Sequence, residues 1–212
     1  ETAELTAKGK GYCVGFPTEE CEVRIIKPIE GAITHISETT ALKKSEIGEI
    51  IVKGSFVTKH YHNAPDADKF AKIADDNENI WHRIGDMGYI DNDGKLWFCG
   101  RKSHMIVNAD KKIYPAALEA PFNSMTGKRC AIIGLGGKNS EIPLLVVEGS
   151  FSKKEFEALR QKLKVLSEQL DSPMRISHFA HMKKFPVDIR HNAKISREKI
   201  REYFKFYDLE LD

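Results

Sequence analysis

The chain has 212 residues, 41% of them hydrophobic, and its 33 Lys and Arg offset 31 Asp and Glu to a net charge of +2. That is enough chain for one ordinary domain or two small ones, and the near-neutral balance excludes recognition of nucleic acid or of strongly acidic partners by bulk charge. Cys13, Cys21, Cys99 and Cys130 are widely spaced without a CxxC pair, which argues against a zinc site or a disulfide framework and for a reduced, cytoplasmic compartment; no apolar run approaches a membrane span, and no charged-then-apolar leader is visible.

The opening, ETAELTAKGKG, starts at Glu1 and carries no strand or helix punctuation, as expected for a piece of a longer chain. Residues 20–100 read as β-rich. ECEVRIIKP and GEIIVKGSFV are short Ile/Val runs bounded by Gly and Pro. A polar stretch over 62–79 reads as a surface loop or short helix. In GYIDNDGKLWFCG, Asn92-Asp93-Gly94 supplies turn residues between Tyr89-Ile90 and Leu96-Trp97-Phe98, a hairpin signal.

The pattern changes after CGRKSH. YPAALEA places Pro115 where a helix would begin, and Pro121 is expected to end that helix early. CAIIGLG and IPLLVVEG read as buried strands. SFSKKEFEALRQKLKVLSEQL reads as an amphipathic helix with Phe156, Leu159, Leu163, Leu166 and Leu170 on one face, opened by a Ser152/Glu155 capping box. A strand near MRISHFAH and a helix holding Ile200 and Phe204 complete the chain. The expected division falls near residue 101: an all-β piece, then an α+β domain of about 110 residues.

Three residues carry candidate chemistry. Asp86, in RIGDMG, reads alone as a turn former, but a fixed carboxylate also accepts two hydroxyl hydrogen bonds and so suits a ribose diol. Arg101, in FCGRKSH, is either a solvated arginine or a planar donor fork for ribose or phosphate. Lys194, in HNAKISREKI, lies among Lys183, Lys184, Arg190, His191 and Arg197. That run reads alone as a solvated basic face; over an anion, a lysine there would meet charge developing on a carboxylate and a phosphate. GLGG at 134–137 is no dinucleotide fingerprint. His178 and His181 lack partner ligands in sequence. Ser103, Ser140 and Ser196 lack a nucleophile-elbow context.

Taken in order, GEIIVKGSFVTKHYHNAPDADKF, WHRIGDMGYIDNDGKLWFCGRKSHMI and NAKISREKI resemble three blocks of the adenylate-forming superfamily of AMP-dependent synthetases and acyl-CoA synthetases, over about residues 11–205. The resemblance implies a mixed α/β fold: residues 1–100 would be the end of the large adenylation domain, a distorted β-barrel subdomain, 101–103 a hinge centred on Lys102 and Ser103, and 104–212 a small mobile C-terminal α+β domain. It implies that Asp86 holds ribose hydroxyls, that Arg101 contacts ribose or phosphate, and that Lys194 is the catalytic residue that bridges carboxylate and α-phosphate as acyl-AMP forms; Arg190 and His191 are secondary candidates shaping its loop. ATP and magnesium are the implied cofactors, with the magnesium contacts in a preceding N-terminal part.

The departures narrow the resemblance. Ala193 replaces the usual glycine before the lysine, Pro186 stands two residues farther from it than usual, and Ser103 replaces a common Asp or Lys. Nine residues after Arg101, where many members have a glycine beside which pantetheine passes, this chain has Asp110, which argues against CoA as acceptor. GYCVGFPTEECEVRIIKP and FPVDIRHNAKISREKI look very similar to the β-lactone synthetases of long-chain olefin biosynthesis, often labelled fatty-acid CoA ligases. Their implied reaction activates a 2-alkyl-3-hydroxy fatty acid as its adenylate and closes it to a β-lactone with release of AMP; the alternatives are a fatty acyl-CoA synthetase, passing acyl-AMP to CoA, and a non-catalytic binding module that docks a partner on the basic face around Lys194. The implied partners are the fatty-acid substrate, the chain's own N-terminal adenylation domain and other olefin-biosynthesis enzymes, with no nucleic acid. The phosphate loop ending in Lys-Gly and the aromatic-x-Thr-Glu block are absent and are expected upstream of Glu1, so the 212 residues alone are expected to be inactive.

Overall fold

A computed structural model describes residues 1–188 and 194–206. Their fold is mixed α/β, in two compact units: Tyr12–Ser103, and Glu1–Gly11 together with His104–Asp212. The chain opens with α1 (Thr2–Ala7), a helix the sequence does not announce because no side chain caps its first turn. Then come β1 (Tyr12–Gly15), β2 (Glu22–Ile26), β3 (Gly48–Lys53), α2 (Pro65–Ala71), β4 (Lys72–Ala74), β5 (Ile80–Ile90) and β6 (Leu96–Arg101).

These six strands form one antiparallel sheet in the order β1-β6-β5-β3-β2, with β4 also paired to β5. Ile26, Ile33, Ile51, Ile73 and Trp81 pack into a buried cluster. The turn between β5 and β6 forms where Asn-Asp-Gly demands it: Gly94 takes φ 92°, and Asp91 accepts the Lys95 N–H at 2.8 Å and the Trp97 indole N–H at 2.8 Å. Strand β1 lies at an edge of the sheet and exposes Tyr12 and Val14, with Phe16 exposed just beyond it. A buried ion cluster braces the same sheet. Glu49 on β3 accepts two bonds from the Arg83 guanidinium on β5, at 2.7 and 2.9 Å. Arg83 also donates to the carbonyls of Ile29 and Gly31.

The other unit adds β7 (Ile106–Asn108), β8 (Lys111–Ile113), α3 (Pro115–Thr126), β9 (Cys130–Leu135), β10 (Ile142–Glu148), α4 (Lys153–Gln169), β11 (His178–Met182) and α5 (Arg197–Tyr203). β9 and β10 pair antiparallel, β10 and β11 parallel, and α4 supplies the crossover a parallel pair requires. This three-stranded sheet is covered on both faces, which is why its strands read as continuous apolar runs. Cys130, Ile132, Leu145, Val147 and Phe179 meet Phe122 and Leu163 on one side. Ala131, Ile133, Leu144, Val146 and Ala180 meet Phe185, Ile200 and Phe204 on the other. α4 begins with the Ser152/Glu155 capping box, both bonds formed, and sets Phe156, Leu159, Leu166 and Leu170 around buried Leu163.

Pro121 does not end its helix. α3 continues through it to Thr126 and stops at Gly127, which adopts the left-handed conformation with φ 62°. Pro115 through Phe122 line the buried face, Ala116 excepted; this burial outweighs the bond that Pro121 removes from the helix ladder.

Candidate active site

Asp86 and Arg101 are brought together by the β5–β6 pairing, where they are register partners. The register shifts between Met87 and Gly88, and a Cβ on Gly88 would lie only 2.1 Å from the Trp97 carbonyl oxygen. Glycine thus permits the close strand contact beside the irregularity. Gly85, at φ 76°, precedes Asp86 in a conformation that disfavours side chains. Arg101 Nε lies 3.0 Å from Asp86 Oδ1, and its Nη1 donates to the Ile84 carbonyl at 3.0 Å. The Asp86 contact is one of charge rather than an aligned hydrogen bond: Oδ1 is buried and has no hydrogen-bond partner. Burial pushes the Asp86 carboxyl above its usual range, against the pull of Arg101. A buried carboxylate oxygen lacking a donor is costly unless something supplies one.

The next residue is moored. Lys102 donates to Glu49 Oε2 at 3.0 Å and to the Ile29 carbonyl. Burial pushes Glu49 up, but the bonds from Arg83 and Lys102 outweigh it and hold the carboxyl below its usual range. Ser103 follows, exposed, in a 3-10 turn over Lys102–His104.

Lys194 belongs to the other unit. Its main chain is fixed by short antiparallel pairing: Val187 bridges Ile195, the Asp188 N–H donates to the Lys194 carbonyl at 2.9 Å, and the Ser196 N–H to the Pro186 carbonyl at 2.8 Å. Ile195 packs on the apolar cluster around Ile200. The Lys194 side chain is exposed. His104 lies near it, with Nε2 3.5 Å from Glu198; burial, then the charges of Arg197 and Lys194, push its imidazole below the usual range. Arg190, His191 and Ala193 lie outside the described residues.

One residue the sequence did not single out completes this region. Glu119, on the buried face of α3, accepts both prongs of the Arg197 guanidinium at 2.6 and 2.8 Å and the Ile132 N–H at 2.7 Å. Its one sequence signal is a lone carboxylate inside an apolar helix face, YPAALEAPF. Asp110 stands exposed at the turn joining β7 to β8. His181 packs its ring on Phe151 and Phe156, at 5.3 and 4.7 Å between centroids, and among the described residues no three His, Cys, Asp or Glu side chains converge as a metal site would require. No helix among the described residues is long and apolar enough to cross a membrane.

The arrangement thus offers a part-buried carboxylate, one oxygen of which lacks a donor, beside an arginine, and elsewhere an exposed lysine next to a bridged residue. No protein-family model matches the chain. Among solved structures, ATP-bound MatB from Rhodopseudomonas palustris shares its fold with a TM-score of 0.71 at 23% identity, covering 92% of this chain and 36% of that one. Over 156 residues the chain is 33% identical to a 2-succinylbenzoate–CoA ligase of Bacillus velezensis, covering 70% of this chain and 28% of that protein. The chain belongs to the adenylate-forming ligase superfamily. Within it, the sequence is similar to the olefin β-lactone synthetase of Stenotrophomonas maltophilia, 38% identical over 204 residues that cover 94% of this chain. The chain spans 37% of the length of that relative.

Proposed function

We propose that the chain is the C-terminal part of an ATP-dependent acyl-adenylating ligase that activates a 2-alkyl-3-hydroxy fatty acid and closes it to a β-lactone. The observation that carries the nucleotide half of this reading is the part-exposed Asp86 carboxylate, set 3.0 Å from Arg101 by the β5–β6 pairing. A ribose hydroxyl can donate to the accessible side of this carboxylate, and Arg101 adds positive charge for ribose or phosphate. The acyl half rests on the similarity to the olefin β-lactone synthetase.

In the first step the substrate carboxylate attacks the α-phosphorus of ATP, forming acyl-AMP and releasing pyrophosphate. Lys194, a positive charge whose carbonyl accepts the Asp188 N–H beside the Val187–Ile195 bridge, is suited to stabilise the charge developing between carboxylate and phosphate. In the second step the substrate's own hydroxyl attacks the acyl carbonyl, loses its proton and expels AMP. The acceptor is already tethered, so closure gains from proximity and needs no thiol arm. Asp110, charged where a pantetheine arm would pass by the family pattern, favours this over transfer to CoA. The two steps use one site in succession, and a reorienting C-terminal domain that inserts and withdraws Lys194 would separate them, with the backbone change taken up at Lys102–Ser103.

The test is AMP release by the full-length ligase with ATP, magnesium and a 2-alkyl-3-hydroxy fatty acid, with and without CoA, and product identification by mass. Release without CoA, giving the acid less one water, is expected. A thioester formed only in the presence of CoA would make the protein an acyl-CoA synthetase instead.

A further inference from the structure

The first residue of α5, Arg197, reaches into the buried side of its unit rather than toward solvent. Its guanidinium meets Glu119 through two bonds of 2.6 and 2.8 Å, and Glu119 Oε1 is held in turn by the Ile132 N–H at 2.7 Å. Glu119 is only 5% exposed. One side chain therefore ties the start of α5 to α3 and to β9. Replacing such a buried pair with apolar residues of similar volume is often neutral or stabilising, so stability alone is a weak reason to place it there. A planar fork offers what an apolar contact does not: a fixed direction of approach.

That direction bears on Lys194, three residues earlier. Ile195 is anchored to the core and bridged to Val187, and the Lys194 carbonyl is bonded to the Asp188 N–H. The fork then fixes where the segment after the Ile195 bridge turns into α5. A long exposed lysine can deliver its ammonium repeatedly to one place only if its Cα is held, and errors near 1 Å in such placements cost about a hundredfold in rate. We infer that the Glu119–Arg197 pair is a positioning device that aims Lys194 for adenylate formation, with Arg197 and Glu119 as positioning residues that touch no substrate. The inference rests on the reading of Lys194 given above.

The experiment separates the two half-reactions in the full-length ligase. Arg197→Met is compared with wild type for acyl-AMP formation from acid and ATP, and for consumption of pre-made acyl adenylate, both normalised to folded protein. The expected result is a fall of about tenfold to a hundredfold in adenylate formation, with little change in KM for ATP and consumption of supplied adenylate within about twofold. Arg197→Lys, which keeps the charge without the fork, is expected to recover folding more fully than adenylation, and it carries the comparison should Arg197→Met not fold. Parallel loss of both half-reactions in Arg197→Lys, or unchanged adenylation in either variant, would overturn the inference. Lys194→Ala runs alongside: if it leaves adenylation intact, the proposed function itself fails, whereas a slow Lys194→Ala with a normal Arg197→Met removes only the positioning role.

Discussion

Asp86 Oδ1 and Arg101 Nε lie 3.0 Å apart across two paired strands, yet the carboxylate oxygen is buried and unbonded. The two are opposed in charge without satisfying each other's geometry. A site that keeps such a pair trades folding stability for readiness to bind.

For Asp86→Asn the two properties should therefore part. Burial raises the Asp86 pKa in the folded state, so its contribution to stability is present at low pH and is lost as pH rises through the raised value. At pH 7 the neutral amide removes that burden, and the melting temperature is expected to hold or rise. AMP binding by the full-length ligase, read by calorimetry, is expected to weaken about tenfold or more as the carboxylate acceptor is lost. Destabilisation with unchanged AMP affinity would contradict the assignment.

Lys194→Ala should slow adenylate formation by about 10²–10³-fold, the cost of removing one preorganised charge-stabilising donor. Because the side chain is exposed, the thermal midpoint should scarcely move. Pyrophosphate exchange beside a melting curve measures both.

The Glu49 cluster makes the opposite prediction, for stability. Arg83→Met leaves a buried carboxylate with Lys102 as its remaining partner and is expected to cost about 3–5 kcal/mol in urea unfolding. Glu49 titrates below its usual range, so its contribution is present above the unfolded-state pKa and lost as pH falls through the lowered one. Glu49→Gln should accordingly flatten the acid side of the stability profile.

At the start of α4, Ser152→Ala removes the acceptor for the Glu155 N–H and is expected to cost about 1 kcal/mol. Ser152→Gly, which leaves the N-cap conformation accessible, should cost only a few tenths of that value.

How much of this was legible in sequence depended on whether the signal was local. The Asn92–Gly94 turn and the α4 stripe are written in adjacent residues, and both form as read. The Pro121 rule failed because the fate of that helix is decided by what its face buries, which no local pattern records. The strands β7 and β8 are three residues each, too short for periodicity to register. Asp86 and Arg101 could be named from their motifs, but their register pairing and the unbonded oxygen required the folded sheet. The Glu119–Arg197 fork joins positions 78 residues apart, a relation invisible along the chain. Arg190 and His191 lie outside the described residues.

The rim strand β1 has a practical corollary. Tyr12 and Val14 on β1, with Phe16 just beyond it, expose apolar side chains at an edge of the sheet, and an exposed edge strand is a template for adding another strand. Prepared on its own, the 212-residue polypeptide should self-associate as concentration rises, and Val14→Lys, a charge set into that margin, should keep it dispersed for measurement.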